Sequence, residues 1–237
     1  MKLADYMVLF VKGVIIGIGI NIFSISFAVL LFVLNLYKRI INIFSSFDNF
    51  KSNFKSVLAV FLGIILGIIS GYNFINYTLV KFNMPVMIFF IGFIYGGISL
   101  FIKDVKKDKN IYNFLIILIS FILMVGLNFL IINSSSNVFL GLLSLFIPGI
   151  NISFIYNISY SFINIVILII GIILFSKIIN YFINKFNKFN YIVLGFIMAS
   201  IVMILYNTKL NLSFVSIIMS LFTFGWGFLL SKAIDRE

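Results

Sequence analysis

Apolar runs cover residues 7–37, 56–80, 85–102, 111–132, 138–161, 162–182, 191–207 and 212–230, and little of the chain lies between them. Most match the roughly 20 residues that a helix needs to cross a bilayer. Composition agrees: 63% of the 237 residues are hydrophobic, 10% are charged, and the mean hydropathy is +1.24. A soluble domain carries about 45–50% apolar and about 25% charged residues, which argues against a soluble or disordered chain. The net charge of +11 does not mark a nucleic-acid binder. Most basic residues stand in short gaps between apolar runs, as in the cytoplasmic loops of membrane proteins. The expected fold is all-α, a polytopic integral membrane protein.

Two runs do not fit single spans. Residues 7–37, as one helix of 31 residues, would be about 46 Å long. Burying that in a core about 30 Å thick requires a tilt near 50°, beyond the usual range of about 0–40°. Either its ends leave the membrane or it folds back as a re-entrant hairpin. Residues 138–161 are broken by Pro148-Gly149, because proline removes a backbone donor and disfavours helix at the residue before it. Ser24-Ile25-Ser26 is weakly like a cleavage site. The apolar run continues to Leu36, so the first segment reads as membrane-embedded and not as a removable signal peptide.

Charge arbitrates. With both broken segments re-entrant and the N-terminus cytoplasmic, Lys38, Arg39, Lys51, Lys55, Lys103, Lys106, Lys107, Lys109, Lys185, Lys188, Lys232 and Arg236 all fall inside. Only Lys81, Lys209 and the neutral Asn133–Asn137 stretch fall outside. This is a strong positive-inside pattern. It favours a hairpin for 138–161 and leaves 7–37 open between re-entrant and spanning. Both termini are then expected in the cytoplasm.

The chain also repeats itself. Ile75-Asn76-Tyr77 with Lys81-Phe82-Asn83 recurs as Ile179-Asn180-Tyr181 with Lys185-Phe186-Asn187. Gly67-Ile68-Ile69 recurs as Gly171-Ile172-Ile173, and Gly92-Phe93-Ile94 as Gly195-Phe196-Ile197. The expected organisation is a first repeat over 1–110, a linking span over 111–137, a second repeat over 138–207, and a final span and tail over 208–237. Within the first repeat lie the broken segment 7–37, an amphipathic insert 38–55, and spans 56–80 and 85–102. In this topology the copies have opposite orientation, and inverted repeats with broken helices are a transporter signature. The insert reads as a basic amphipathic helix on the inner leaflet.

The six acidic residues, Asp5, Asp48, Asp104, Asp108, Asp235 and Glu237, lie near termini or in loops, and the chain has no Cys and no His. Paired-carboxylate chemistry, a Ser-His-Asp arrangement, metal catalysis and an intramembrane proton relay lack their parts. No enzyme, metal or cofactor is expected. Two cations lie within apolar runs, Lys12 and Lys177, where a lysine either serves function or snorkels to the interface. Ser24, Ser26, Asn151 and Ser153 lie near the tips of the broken segments. Half-helix N-termini there would aim N–H groups at an anion; equally, these side chains could satisfy backbone freed by the break. Gly13 and Gly17, Gly63, Gly67 and Gly71, and Gly92 and Gly96 are spaced by four, which reads as close helix packing.

These residues resemble the polyprenyl-phosphate transporters of the PopT type. In that family a Lys-Gly-containing run leads into a Pro-Gly-Val-Ser-Gly-Gly-Thr-like motif and then a Tyr. Here Lys12-Gly13 leads through Gly17-Ile18 to Phe23-Ser24-Ile25-Ser26-Phe27-Ala28-Val29 and then Tyr37, with Ser26 alone keeping its identity in the motif. The second motif, Pro148-Gly149-Ile150-Asn151-Ile152-Ser153-Phe154, is similar to the family's Pro-Gly-Ile-Ser-Gly-Ser-Phe. Leu174-Phe175-Ser176-Lys177 looks like its Leu-Phe-Ser-Lys, and Gly195-Phe196-Ile197 like its later Gly-Leu-Ile. The resemblance implies inverted repeats with paired re-entrant elements. It also implies transport of undecaprenyl phosphate, or a related anionic lipid, from outer to inner leaflet of the bacterial plasma membrane for envelope polymer synthesis. Lys12 and Lys177, then Arg39, would meet the phosphate, with Ser24, Ser26, Gly149, Asn151 and Ser153 at the tips. Membrane lipids are the other expected partners, and homo-oligomerisation stays open. The first motif has lost its Pro and its Gly-Gly pair. That supports an alternative: a non-transporting scaffold or partner subunit of the same fold.

Overall fold

The computed structural model describes residues 3–22, 25–105, 110–132, 138–150, 162–186 and 188–235. Every regular element among them is an α-helix. In order these are α1 (Leu3–Ile20), α2 (Phe27–Val33), α3 (Tyr37–Ser45), α4 (Phe47–Ser52), α5 (Phe54–Val105), α6 (Ile111–Ile132), α7 (Val138–Phe146), α8 (Phe162–Lys185), α9 (Phe189–Asn207) and α10 (Phe214–Asp235). Five helices are long and apolar enough to cross a membrane, or six if the pair α2 and α3, bent by 112°, counts as one span. Large apolar side chains such as Ile69, Phe114, Leu130, Phe222 and Trp226 are exposed on their outer faces. So extensive an apolar surface needs hydrocarbon against it.

The centre of the molecule is α2. Ala28, Val29, Leu30, Leu31, Val33, Leu34, Leu36 and Tyr37, in α2 and the turn after it, are all buried in the main core. The broken segment expected over 7–37 therefore includes α1, which ends at Ile20, then α2 from Phe27, and a turn at Asn35, whose φ is 57°.

The expected spans 56–80 and 85–102 are two helices that meet at a sharp bend within the continuous run α5. Straight, its 52 residues would reach about 78 Å. Phe82 (φ −133°, ψ 48°) interrupts it, and Pro85 cannot donate to the carbonyl of Lys81. Ile75 and Thr78 before the bend line the same cavity as Phe89 and Phe93 after it, so the chain doubles back there.

The insert 38–55 differs from the single amphipathic helix expected. It is split into α3 and α4 at Ser46, whose Oγ accepts from the backbone N–H of Asn49 at 3.3 Å. A serine cap with Asp48 in the first turn starts a new helix more favourably than it continues the old one. Ile41 and Ile43 of α3 are buried, and Asn180 of α8 donates to Ser45 Oγ at 3.2 Å. The insert is thus fastened to the bundle as well as amphipathic.

Four parallel pairings set the packing of the long helices. Gly13 and Gly17 of α1 lie against Gly63 and Gly67 of α5, so α1 runs parallel to the first half of α5. Likewise Leu142 of α7 lies against Gly171 of α8, and Phe146 stacks on Phe175 at 5.8 Å, so these helices also run parallel. In the second half of α5, Gly92 and Gly96 meet Phe224 and Phe228 of parallel α10. In α9, Gly195 meets Ile117 and Ser120 of α6, and Tyr206 meets Phe129 further along, again in parallel.

Candidate functional site

The first tip begins where α1 ends. Asn21 is buried, and its Nδ2 donates to the carbonyls of Gly17 (3.2 Å) and Ile68 (3.4 Å), tying the break to α5. Ser26 occupies the position before α2 without capping it. Its hydroxyl is fully buried and has no hydrogen-bond partner among the described residues.

The second tip follows α7. Gly149 has φ 98°, a conformation that costs glycine little and other residues much. Its carbonyl accepts from Asn128 Nδ2 at 2.8 Å, and the same amide donates to the Met124 carbonyl at 2.9 Å. The two broken segments are linked directly: the buried Tyr37 hydroxyl donates to the Phe146 carbonyl at 2.6 Å. That carbonyl lies at the C-terminus of α7, where helix carbonyls lack intrahelical donors.

Of the residues singled out from sequence, Lys12, Ser26 and Gly149 are buried, and Lys12 is the one charged side chain in the buried set among the described residues. Ser24, Asn151 and Ser153 lie outside the described residues. Two others sit away from the interior. Arg39 Nη2 donates to Ser56 Oγ at 3.2 Å, bracing α3 against the start of α5. Lys177, expected as an intramembrane phosphate partner, is exposed. It lines a surface cavity of about 590 Å³ with Ser45, Asn180, Tyr181, Asn184 and Lys185. Helical phase is the reason: Ile172, Phe175 and Ile179 pack on the core, whereas Ile173, Leu174, Ile178 and Tyr181 share the exposed face with Lys177. Its neighbour Ser176 points inward instead, fully buried with an unpartnered hydroxyl.

Sequence reasoning missed Asn21 and Asn128, the amides that hold the two tips. For Asn128 the signal was present, since an amide deep inside an apolar span such as 111–132 marks a polar contact. It also passed over the cavities where α5 bends. One, of about 670 Å³, is lined by residues including Asn76, Lys81, Asn83, Lys209, Asn211 and Ser213. The other, also about 670 Å³, is almost wholly apolar and lies between α1, both halves of α5, and α10.

Comparison with family models, with curated proteins and with solved structures finds no match. The fold therefore defines only the class: among the described residues, an all-α multi-pass membrane protein with five or six helices able to span a bilayer.

Proposed function

We propose that this chain is a transporter that returns undecaprenyl phosphate from the outer to the inner leaflet of the bacterial plasma membrane. The observation that carries the reading is the matched pairing of helices in the two copies. A chain that enters along α1 and then enters again along α5 in the same direction must return between them. The same holds for α7 and α8. Both broken segments then read as re-entrant. The loop of six residues at 208–213 turns the chain between α9 and α10, so these run oppositely. Since α9 pairs in parallel with α6, and α10 with the second half of α5, equivalent helices of the two copies point in opposite directions. That is the arrangement of inverted-repeat transporters. The placing of basic residues orients both termini to the cytoplasm.

In this reading Lys12, Ser26 and the Gly149 tip form the interior phosphate path. The charge and the unspent hydroxyl supply what a phosphate oxygen needs, while the isoprenoid tail stays in lipid. The test is transbilayer movement of labelled undecaprenyl phosphate in liposomes holding the purified protein, with Lys12→Gln beside the wild type. Movement that depends on protein and falls at least tenfold in the variant supports the reading. A second reading, a scaffold of the same fold, is favoured by the close filling of α2, where Ala28 and Val29 are fully buried and leave little room for a headgroup. Absence of movement from folded, inserted protein decides for it.

A further inference from the structure

We propose that the two cavities beside the Phe82 bend form one bipartite site for a phosphate-headed lipid, with the head between Lys81 and Lys209 and the chain in the apolar groove. The inference goes beyond the transport reading and requires only a bilayer. The cavities share Phe82, Pro85 and Met219 as walls, so they lie side by side. The polar one carries two lysines and the amides of Asn76, Asn83 and Asn211, and no carboxylate lines it. Lys81 is held over the Tyr77 ring, 4.6 Å from its centroid, and hydrogen-bonds its hydroxyl. The Asn83 side chain accepts from the Lys209 backbone N–H at 2.8 Å, which fixes the 208–213 loop against the bend. Two lysines with no carboxylate among the described lining residues suit a doubly charged oxyanion.

The groove suits a chain. Its mouth is formed by Phe74, Phe222 and Trp226, all more than 60% exposed, so it opens sideways to hydrocarbon. Along α10 the apolar lining runs from Met219, beside the polar cavity, to Leu230, about 16 Å at 1.5 Å per residue. One leaflet offers about 15 Å of hydrocarbon. The groove is thus long enough to hold a lipid chain through one leaflet while its head meets the lysines.

Trp226 is the chain's single tryptophan and lines the groove, so its emission reports occupancy. The experiment places the full chain in phosphatidylcholine nanodiscs and titrates in phosphatidic acid brominated near its chain ends. Brominated phosphatidylcholine serves as the reference lipid. The expected result is preferential quenching by the phosphatidic acid in wild type, lowered about fivefold for each of Lys81→Gln and Lys209→Gln. Lys185→Gln, which removes a lysine held the same way over Tyr181 (4.9 Å) on α8, should leave it unchanged. Unlabelled C55 polyprenyl phosphate should relieve the quenching, and millimolar inorganic phosphate should not. Three results would overturn the proposal: equal quenching by both lipids, a preference that survives the double variant, or relief by inorganic phosphate, which would mean a site for the free anion. Because the readout is binding, a failure here leaves the transport assay standing, and a transport failure leaves this site standing.

Discussion

Gly67→Ala tests the packing on which the architecture depends. A methyl group at this position would lie 2.2 Å from the Val14 carbonyl oxygen, 3.0 Å from Gly17 Cα and 3.0 Å from the Ile18 nitrogen. All three are backbone atoms of α1, so no rotamer change makes room. Ordinary contact begins near 3.4 Å, and α1 must therefore move away from α5 by about 1.2 Å. A gap of 0.5–1 Å already forfeits roughly a quarter to a half of each pairwise dispersion well. Overpacking of this kind costs about 1–3 kcal/mol, and backbone on both sides puts Gly67→Ala at the upper end. The control is Gly126→Ala on α6, where an added methyl meets nothing within 4 Å. There the gain in helix propensity predicts neutrality or a stabilisation of up to about 1 kcal/mol. Thermal unfolding in detergent, followed by circular dichroism and Trp226 emission, should separate the two by several degrees. Adding Gly63→Ala, whose methyl meets the Phe10 carbonyl at 2.2 Å, should cost less than a second full penalty, since one separation of α1 relieves both. If Gly67→Ala unfolds with Gly126→Ala, or the two interface variants add fully, α1 and α5 are not in backbone contact and the pairing argument fails.

Tyr37→Phe removes the donor to the Phe146 carbonyl and leaves that acceptor buried, so it should cost about 1–3 kcal/mol, read as a lowered Tm. Asn128→Leu strips the Gly149 and Met124 carbonyls of a shared donor and should cost a similar amount. Protease nicking near Pro148 should rise in parallel, because the second tip loses its tether. Ser26→Ala should be neutral or stabilise by up to about 1 kcal/mol, since the buried hydroxyl has no partner to lose. Under the transport reading it should nonetheless slow phosphate movement, and destabilisation beyond 1 kcal/mol would show that the hydroxyl is structural.

The helices were legible because apolar runs with polar gaps report membrane segments directly. Residues 111–132 and 191–207 became α6 and α9 almost unchanged. The glycine spacing was legible for the same reason, and Gly13, Gly63 and Gly67 do sit at close backbone contacts. What depended on three dimensions was not. Hydropathy located Lys177 at depth, but phase decided its exposure, and the residues around it alternate between core and surface too closely for a run to reveal. The division of 38–55 depended on one capping serine. The bend at Phe82 hid in a gap that reads equally well as a short loop. Arg39 looked like a phosphate partner by charge alone, and its contact with Ser56 joins parts of the chain whose proximity no local pattern encodes.

The two copies differ in a way that bears on motion. Where α1 meets α5, glycine faces glycine and backbone touches backbone over Gly13, Gly17, Gly63 and Gly67. At the equivalent place in the second copy Gly171 faces a leucine, Leu142, and the nearest atoms are its side-chain methyls. A backbone contact has no rotamers with which to absorb sliding, whereas a leucine side chain can repack at modest cost. In the second copy the helix before the tip is α7. It is held at its end by two hydrogen bonds, from Tyr37 and Asn128. Rocking between the halves would therefore strain the first copy more than the second. Under the transport reading, sliding is thus cheaper between α7 and α8 than between α1 and α5, where backbone meets backbone.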